Sequence, residues 1–173
     1  IVVTPIIDGP NLAATSLTLV VLPTVNYTNA TSSATIAIGS VDLPVGKNVW
    51  VAPAAGNASV AANWSENRVP LATDDILLDL FSNAALTWDA GVNGLPTNVA
   101  SWTQTAAYTN RVTIPTLRTG AFTAFVVDGN AVLEGGSWWR AGNASDDGNT
   151  AKVWLNIVVG GDLTAGEAFV FDG

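Results

Sequence analysis

Apolar and polar positions alternate with a period of two through the first part of the chain, and that period argues for strands with one covered face. Residues 16–27 place Leu17, Leu19 and Val21 on one side, and Pro23 marks an edge or a bulge. Residues 35–43 repeat the pattern through Ile36, Ile38, Val41 and Leu43, with a slip at Gly39-Ser40. Ile1-Val2-Val3 is a shorter run that ends before Pro5, and Pro44-Val45-Gly46-Lys47 reads as a turn. From 48 to 75 the chain is loop-rich, with small residues over 52–62 and room for a single turn at 58–62. Past Asp74-Asp75 the pattern becomes short apolar or β-branched bursts, at 76–80, 85–88, 99–105, 111–114, 122–127, 131–133, 153–159 and 168–171. Gly, Asn and Asp separate them, as in Asn93-Gly94, Asp128-Gly129-Asn130, Gly135-Gly136 and Gly160-Gly161-Asp162.

Two of these corners repeat. Val126-Val127-Asp128-Gly129-Asn130 recurs as Val158-Val159-Gly160-Gly161-Asp162, and short steps follow both, Ala131-Val132-Leu133 and Leu163-Thr164-Ala165. Strand, corner and second strand at a fixed distance describe a coil of a solenoid. Two ordinary hairpin turns give the same local signal. The expected fold is all-β: a right-handed parallel β-helix over 48–173, entered through a cap, after an accessory β module over 1–47. A β-sandwich is the alternative. The last burst, Phe169-Val170-Phe171, is expected to face inward. Ile1-Val2-Val3-Thr4 reads as an interior or processed start, so a longer protein is expected.

The cap stretch carries Trp50, Gly56-Asn57, Asn63-Trp64-Ser65, Val69-Pro70 and Asp74-Asp75, leading into Ile76-Leu77-Leu78. It resembles the entry cap of bacterial extracellular β-helix surface proteins of the autotransporter, adhesin or surface-layer kind. Thr87-Trp88-Asp89 and residues 108–114 look like further coils of such a protein. The resemblance spans about 48–173. It departs at Glu66-Asn67, where the Gly of an Asn-Trp-Ser-x-Gly pattern is replaced. It implies export to a bacterial cell surface, a structural or adhesive role, and no catalytic residues to carry over. Trp50, Trp64, Pro70, Asp74 and Asp75 are the expected structural cap, with Trp64 buried and holding the 52–62 loop.

Composition narrows the chemistry. Apolar residues make up 49% and charged residues 12%, too apolar for a disordered chain. No apolar run reaches the ~18–20 residues that span a bilayer. A net charge of −8 argues against nucleic-acid partners. The absence of Cys and His removes thiolate chemistry, disulfides, the commonest general base and the commonest zinc ligand.

The acids offer two readings. Asp74, Asp75 and Asp79, or Asp146-Asp147-Gly148-Asn149, are candidate Ca²⁺ ligands but fit turns and strand entry better, so no cofactor is expected. Asp89, Asp128, Glu134, Asp162 and Glu167 leave open a polysaccharide lyase or hydrolase on a β-helix, an analogy of fold alone. Trp138 and Trp139 would face opposite sides of a strand, making them candidate contacts for a glycan or a partner. Asn26, Asn29, Asn57 and Asn143 are candidate glycosylation sites, and Asn63 the least suited because Trp64 packs its turn. The leading expectation is a non-enzymatic structural subunit or segment of a surface layer, sheath or filament that assembles with copies of itself or with other surface proteins. A carbohydrate-binding adhesin comes next.

Overall fold

The computed structural model describes residues 15–21, 32–38, 42–115, 118–119, 121–122, 124–141 and 157–172. The chain divides into two compact units, Ile1–Leu43 and Pro44–Gly173. In the first, β1 (Thr15–Val21) and β2 (Ser32–Ile38) pair antiparallel, with Leu17 opposite Ile36 and Leu19 opposite Ala34. The Ile1-Val2-Val3 run, Pro23 and the Gly39-Ser40 slip lie outside the described residues.

The second unit is a parallel β-helix. Its strands are β3 (Asn48–Val49), β4 (Gly56–Asn57), β5 (Asp75–Leu78), β6 (Leu86–Thr87), β7 (Asn98–Val99), β8 (Ser101–Gln104) and β9 (Arg111–Pro115). They continue as β10 (Arg118–Thr119), β11 (Ala121–Phe122), β12 (Phe125–Val127), β13 (Ala131–Leu133), β14 (Ser137–Ala141), β15 (Ile157–Val159), β16 (Leu163–Ala165) and β17 (Val170–Asp172). Successive strands go to successive faces. The first sheet runs β7-β12-β15, the second β3-β5-β8-β13-β16, and the third β4-β6-β9-β14-β17. All pairs within these sheets are parallel, while β10 and β11 form a small antiparallel hairpin. The described helical turns are 3-10, at Ala61–Asn63 and Val92–Gly94. Among the described residues no helix is long and apolar enough to cross a membrane.

The repeat seen in the sequence is a stacking register. Val126 pairs with Val158, Val127 with Val159, and Ala131 with Leu163, all thirty-two positions apart (126 to 158, 131 to 163). The preceding coils are shorter, at 26 residues (76 to 102) and 29 residues (102 to 131). At the repeated corner the coils touch through backbone: a Cβ on Gly161 would come within 2.9 Å of the Gly129 carbonyl carbon, so glycine keeps the rungs at strand spacing.

Three expectations change. The burst 99–105 is two strands in different sheets, because the chain turns a corner at Ala100 between Val99 and Ser101. Ser137–Ala141, absent from the apolar bursts, is a strand, as the opposed faces of Trp138 and Trp139 require, and β9 and β17 supply its ladder. The last burst does not face inward throughout. Phe171 stacks over buried Trp138, but Val170 lies on the opposite face by strand alternation and is 53% exposed.

Candidate functional site

Three places concentrate chemistry: a sealed entry, a filled aromatic interior, and the outer faces of the last described coils. At the entry, the loop after β4 folds back along β3, the edge strand of the second sheet. The Val49 N–H donates to Ser65 Oγ at 2.9 Å, Ser65 N–H donates to the Val49 carbonyl, and Val51 N–H donates to the Asn63 carbonyl. Trp50 and Trp64 form an antiparallel bridge, with rings 5.1 Å apart edge to face. An exposed parallel edge invites pairing with another chain, and this short antiparallel return closes it. Trp64 is buried and donates its indole N–H to the Ala58 carbonyl at 2.8 Å, tying the small-residue loop to the core. Trp50 reaches the next coil, donating to the Ala84 carbonyl at 2.9 Å. Pro70 is buried, and Val69 packs on the core.

Asp74 completes the seal. Its carboxylate accepts from Arg68 Nη1 at 2.7 Å and Nη2 at 2.8 Å, from Asn48 Nδ2 at 2.9 Å and from the Leu71 N–H at 3.1 Å. With both oxygens committed to a bidentate arginine, the group is a clasp rather than a cation ligand. Burial pushes the Asp74 carboxyl up, but the hydrogen bonds from Arg68, Leu71 and Asn48 outweigh it and hold the group below the usual carboxylate range. The hydrogen bond to Asp74 raises Arg68 in turn. A carboxylate depressed on folding contributes stability above its unfolded pKa and loses it as pH falls through the folded one. Asp74→Asn should therefore lower the urea midpoint at pH 7 and differ progressively less from the parent below about pH 4. A difference that does not shrink on acidification would contradict the clasp.

Asp75 and Asp79 face the next coil instead. Ser101 Oγ donates to Asp75, Thr105 Oγ1 donates to Asp79 at 2.6 Å, and Lys47 lies 3.7 Å from Asp75. No group of three acids that could hold a metal ion forms among the described residues. The Asp146–Asn149 turn lies outside them. Asp89 accepts from the Ser59 N–H at 2.9 Å and from Ser59 Oγ at 2.5 Å, and Asp128 accepts from Asn98 Nδ2 at 2.9 Å. Glu134, Asp162 and Glu167 are exposed.

Inside the coils the aromatic rings form one continuous column. Trp50, Trp64, Trp88, Trp102, Trp138, Phe169 and Phe171 touch in succession edge to face, with centroids 4.8–6.2 Å apart, and Phe125 bridges Trp88, Trp102 and Trp138. Such contacts contribute about 0.5–1.5 kcal/mol each beyond the area they bury. Gln104 is the polar residue at the centre, fully buried. Its Oε1 accepts the indole N–H groups of Trp138 at 3.0 Å and Trp102 at 3.4 Å, and its Nε2 donates to the Gly135 carbonyl at 2.5 Å. Sequence reading missed Gln104, since its partners lie up to 34 positions away. Tyr108 was also missed as a tie between coils: its hydroxyl sits 3.0 Å from the Ala84 carbonyl and 3.2 Å from that of Arg111, and burial pushes its pKa up.

Trp138 is fully buried, so it is removed as a glycan or partner contact; the register that sets it on Val112 turns it inward. Trp139 points outward and is 39% exposed. Asn57 is exposed, although Ser59 of its sequon is buried and bonded to Asp89. Asn63 is half-buried and donates to the Asn57 carbonyl at 3.0 Å. Asn26, Asn29 and Asn143 lie outside the described residues. Comparison with protein-family models, curated proteins and solved structures gives no match.

Proposed function

We infer that this is a non-enzymatic extracellular structural protein of the surface-layer, sheath or filament kind, exported to a bacterial surface and assembling with copies of itself. One observation carries the reading. The described coils stack in parallel register around one continuous aromatic column, and Asp74, Asp75, Asp79, Asp89 and Asp128 are each held by hydrogen bonds to neighbouring chain segments. Stacked coils of this kind bury a continuous core and present regular faces to neighbouring molecules. The low charge of the coils and the cap-like stretch at 50–78 that resembles bacterial surface β-helix proteins point the same way.

The test is light scattering and negative-stain imaging of the intact natural protein at neutral pH. Oligomers or ordered polymers are expected. A strictly monomeric species at high concentration, without filaments or sheets, would overturn the reading.

A further inference from the structure

On the outer face of the third sheet one tryptophan differs from the five that line the core. Trp50, Trp64, Trp88, Trp102 and Trp138 are buried, and each donates its indole N–H to a carbonyl or amide oxygen. Trp139 is exposed, its Nε1 meets no acceptor among the described residues, and its ring is met by the Arg111 guanidinium 4.3 Å from the centroid. Arg111 forms no ion pair among the described side chains. Lys47 and Arg68 differ in this, each being paired with an acid, Asp75 and Asp74 respectively. The strand register sets Trp139 between Thr113 and Asp172, Thr113 beside Thr87, and Thr87 beside Asn57, with Ser137 between Arg111 and Val170. The sheet thus presents an indole, a guanidinium and a line of hydroxyl and amide groups on rigid strands. Arg140 continues β14, and Arg118 lies in the hairpin that follows β9.

We propose that this face binds an acidic polysaccharide, with Trp139 stacking on a pyranose ring and Arg111 pairing with the carboxylate of a uronate residue. A flat indole covers the C–H face of a sugar as it covers other apolar surface, and a guanidinium matches a carboxylate with two parallel hydrogen bonds. The hydroxyl and amide column beside the ring suits sugar hydroxyls better than an apolar protein patch.

The intact protein is run through native gels containing polygalacturonate, alginate or hyaluronate, with dextran as the neutral control. At least one uronate polymer should retard it and dextran should not. Trp139→Ala and Arg111→Gln should each weaken that retardation about tenfold or more, equivalent to about 1.4 kcal/mol. Trp139→Phe should keep most of it, and all three variants should melt like the parent. Retardation by none of the three uronate polymers, equal retardation by dextran, or retardation that Trp139→Ala and Arg111→Gln leave unchanged would each overturn the proposal.

Discussion

Trp102→Ala is expected to destabilise the β-helix by about 3–5 kcal/mol, the range for truncating a large core aromatic. Trp102 is fully buried at the middle of the column, with its ring edge to face against Trp88, Phe125 and Trp138 at 5.4–5.6 Å. Removing it cuts the column in two and leaves a cavity that neighbours fixed in strands on three sides cannot fill. It also takes one indole donor from Gln104, whose buried amide then keeps only Trp138 and the Gly135 carbonyl. Urea denaturation followed by circular dichroism measures the loss. Trp139→Ala is the internal control, because an exposed ring should change stability by no more than about 0.5 kcal/mol. Equal midpoints for the two variants would mean that the interior is not organised around these rings.

Gly136→Ala is expected to be the other severe change. Gly136 sits at φ +70°, in the left-handed region, where a side chain costs about 1–3 kcal/mol. A Cβ there would also overlap the Asn110 carbonyl oxygen and stand 2.7 Å from Gln104 Nε2 and 3.0 Å from the Tyr108 carbonyl. Two of those atoms are backbone of the coil beneath, so relief requires the rungs to part, an overpacking cost of about another 1–3 kcal/mol. Gly91→Ala, at φ +86° with open space around its Cβ position, isolates the conformational part. Thermal melting of both variants should place Gly136→Ala well below Gly91→Ala. Coincident melting curves would show that adjacent coils do not approach this closely at Gly136.

The solenoid was legible where two adjacent coils share a corner. Val126-Val127 and Val158-Val159 stand out because the same corner, with its glycines, follows both at the same spacing. The coils at 76 to 102 and 102 to 131 left no such trace, since changes in loop length at the corners shift the spacing while the strand register is kept. Alternation announced that Trp138 and Trp139 oppose each other. Which one is inside depends on the pairing of Trp138 with Val112, twenty-six residues earlier. The entry cap was readable as a cluster of Trp, Pro and Asp, yet its chemistry lies in contacts the cluster does not contain. Asp74 is held by Asn48 from the strand before the loop, and Ser65 caps Val49 across sixteen positions. The Trp139–Arg111 pair was invisible for the same reason: a diagonal between adjacent coils has no fixed spacing in a chain whose coils differ in length.

The stacking of coils in this register is what every other statement rests on, and the absence of cysteine allows it to be read directly. Thr103, Val132 and Thr164 form one outward column of the second sheet. Nitroxide labels placed through Thr103→Cys with Val132→Cys, or Val132→Cys with Thr164→Cys, would sit one strand spacing apart, about 4.8 Å between backbones. Strong spin–spin broadening is expected for both pairs and not for Thr103→Cys with Val158→Cys, which lie in different sheets. Spectra of the column pairs that equal the sum of their single-label spectra would contradict the parallel β-helix.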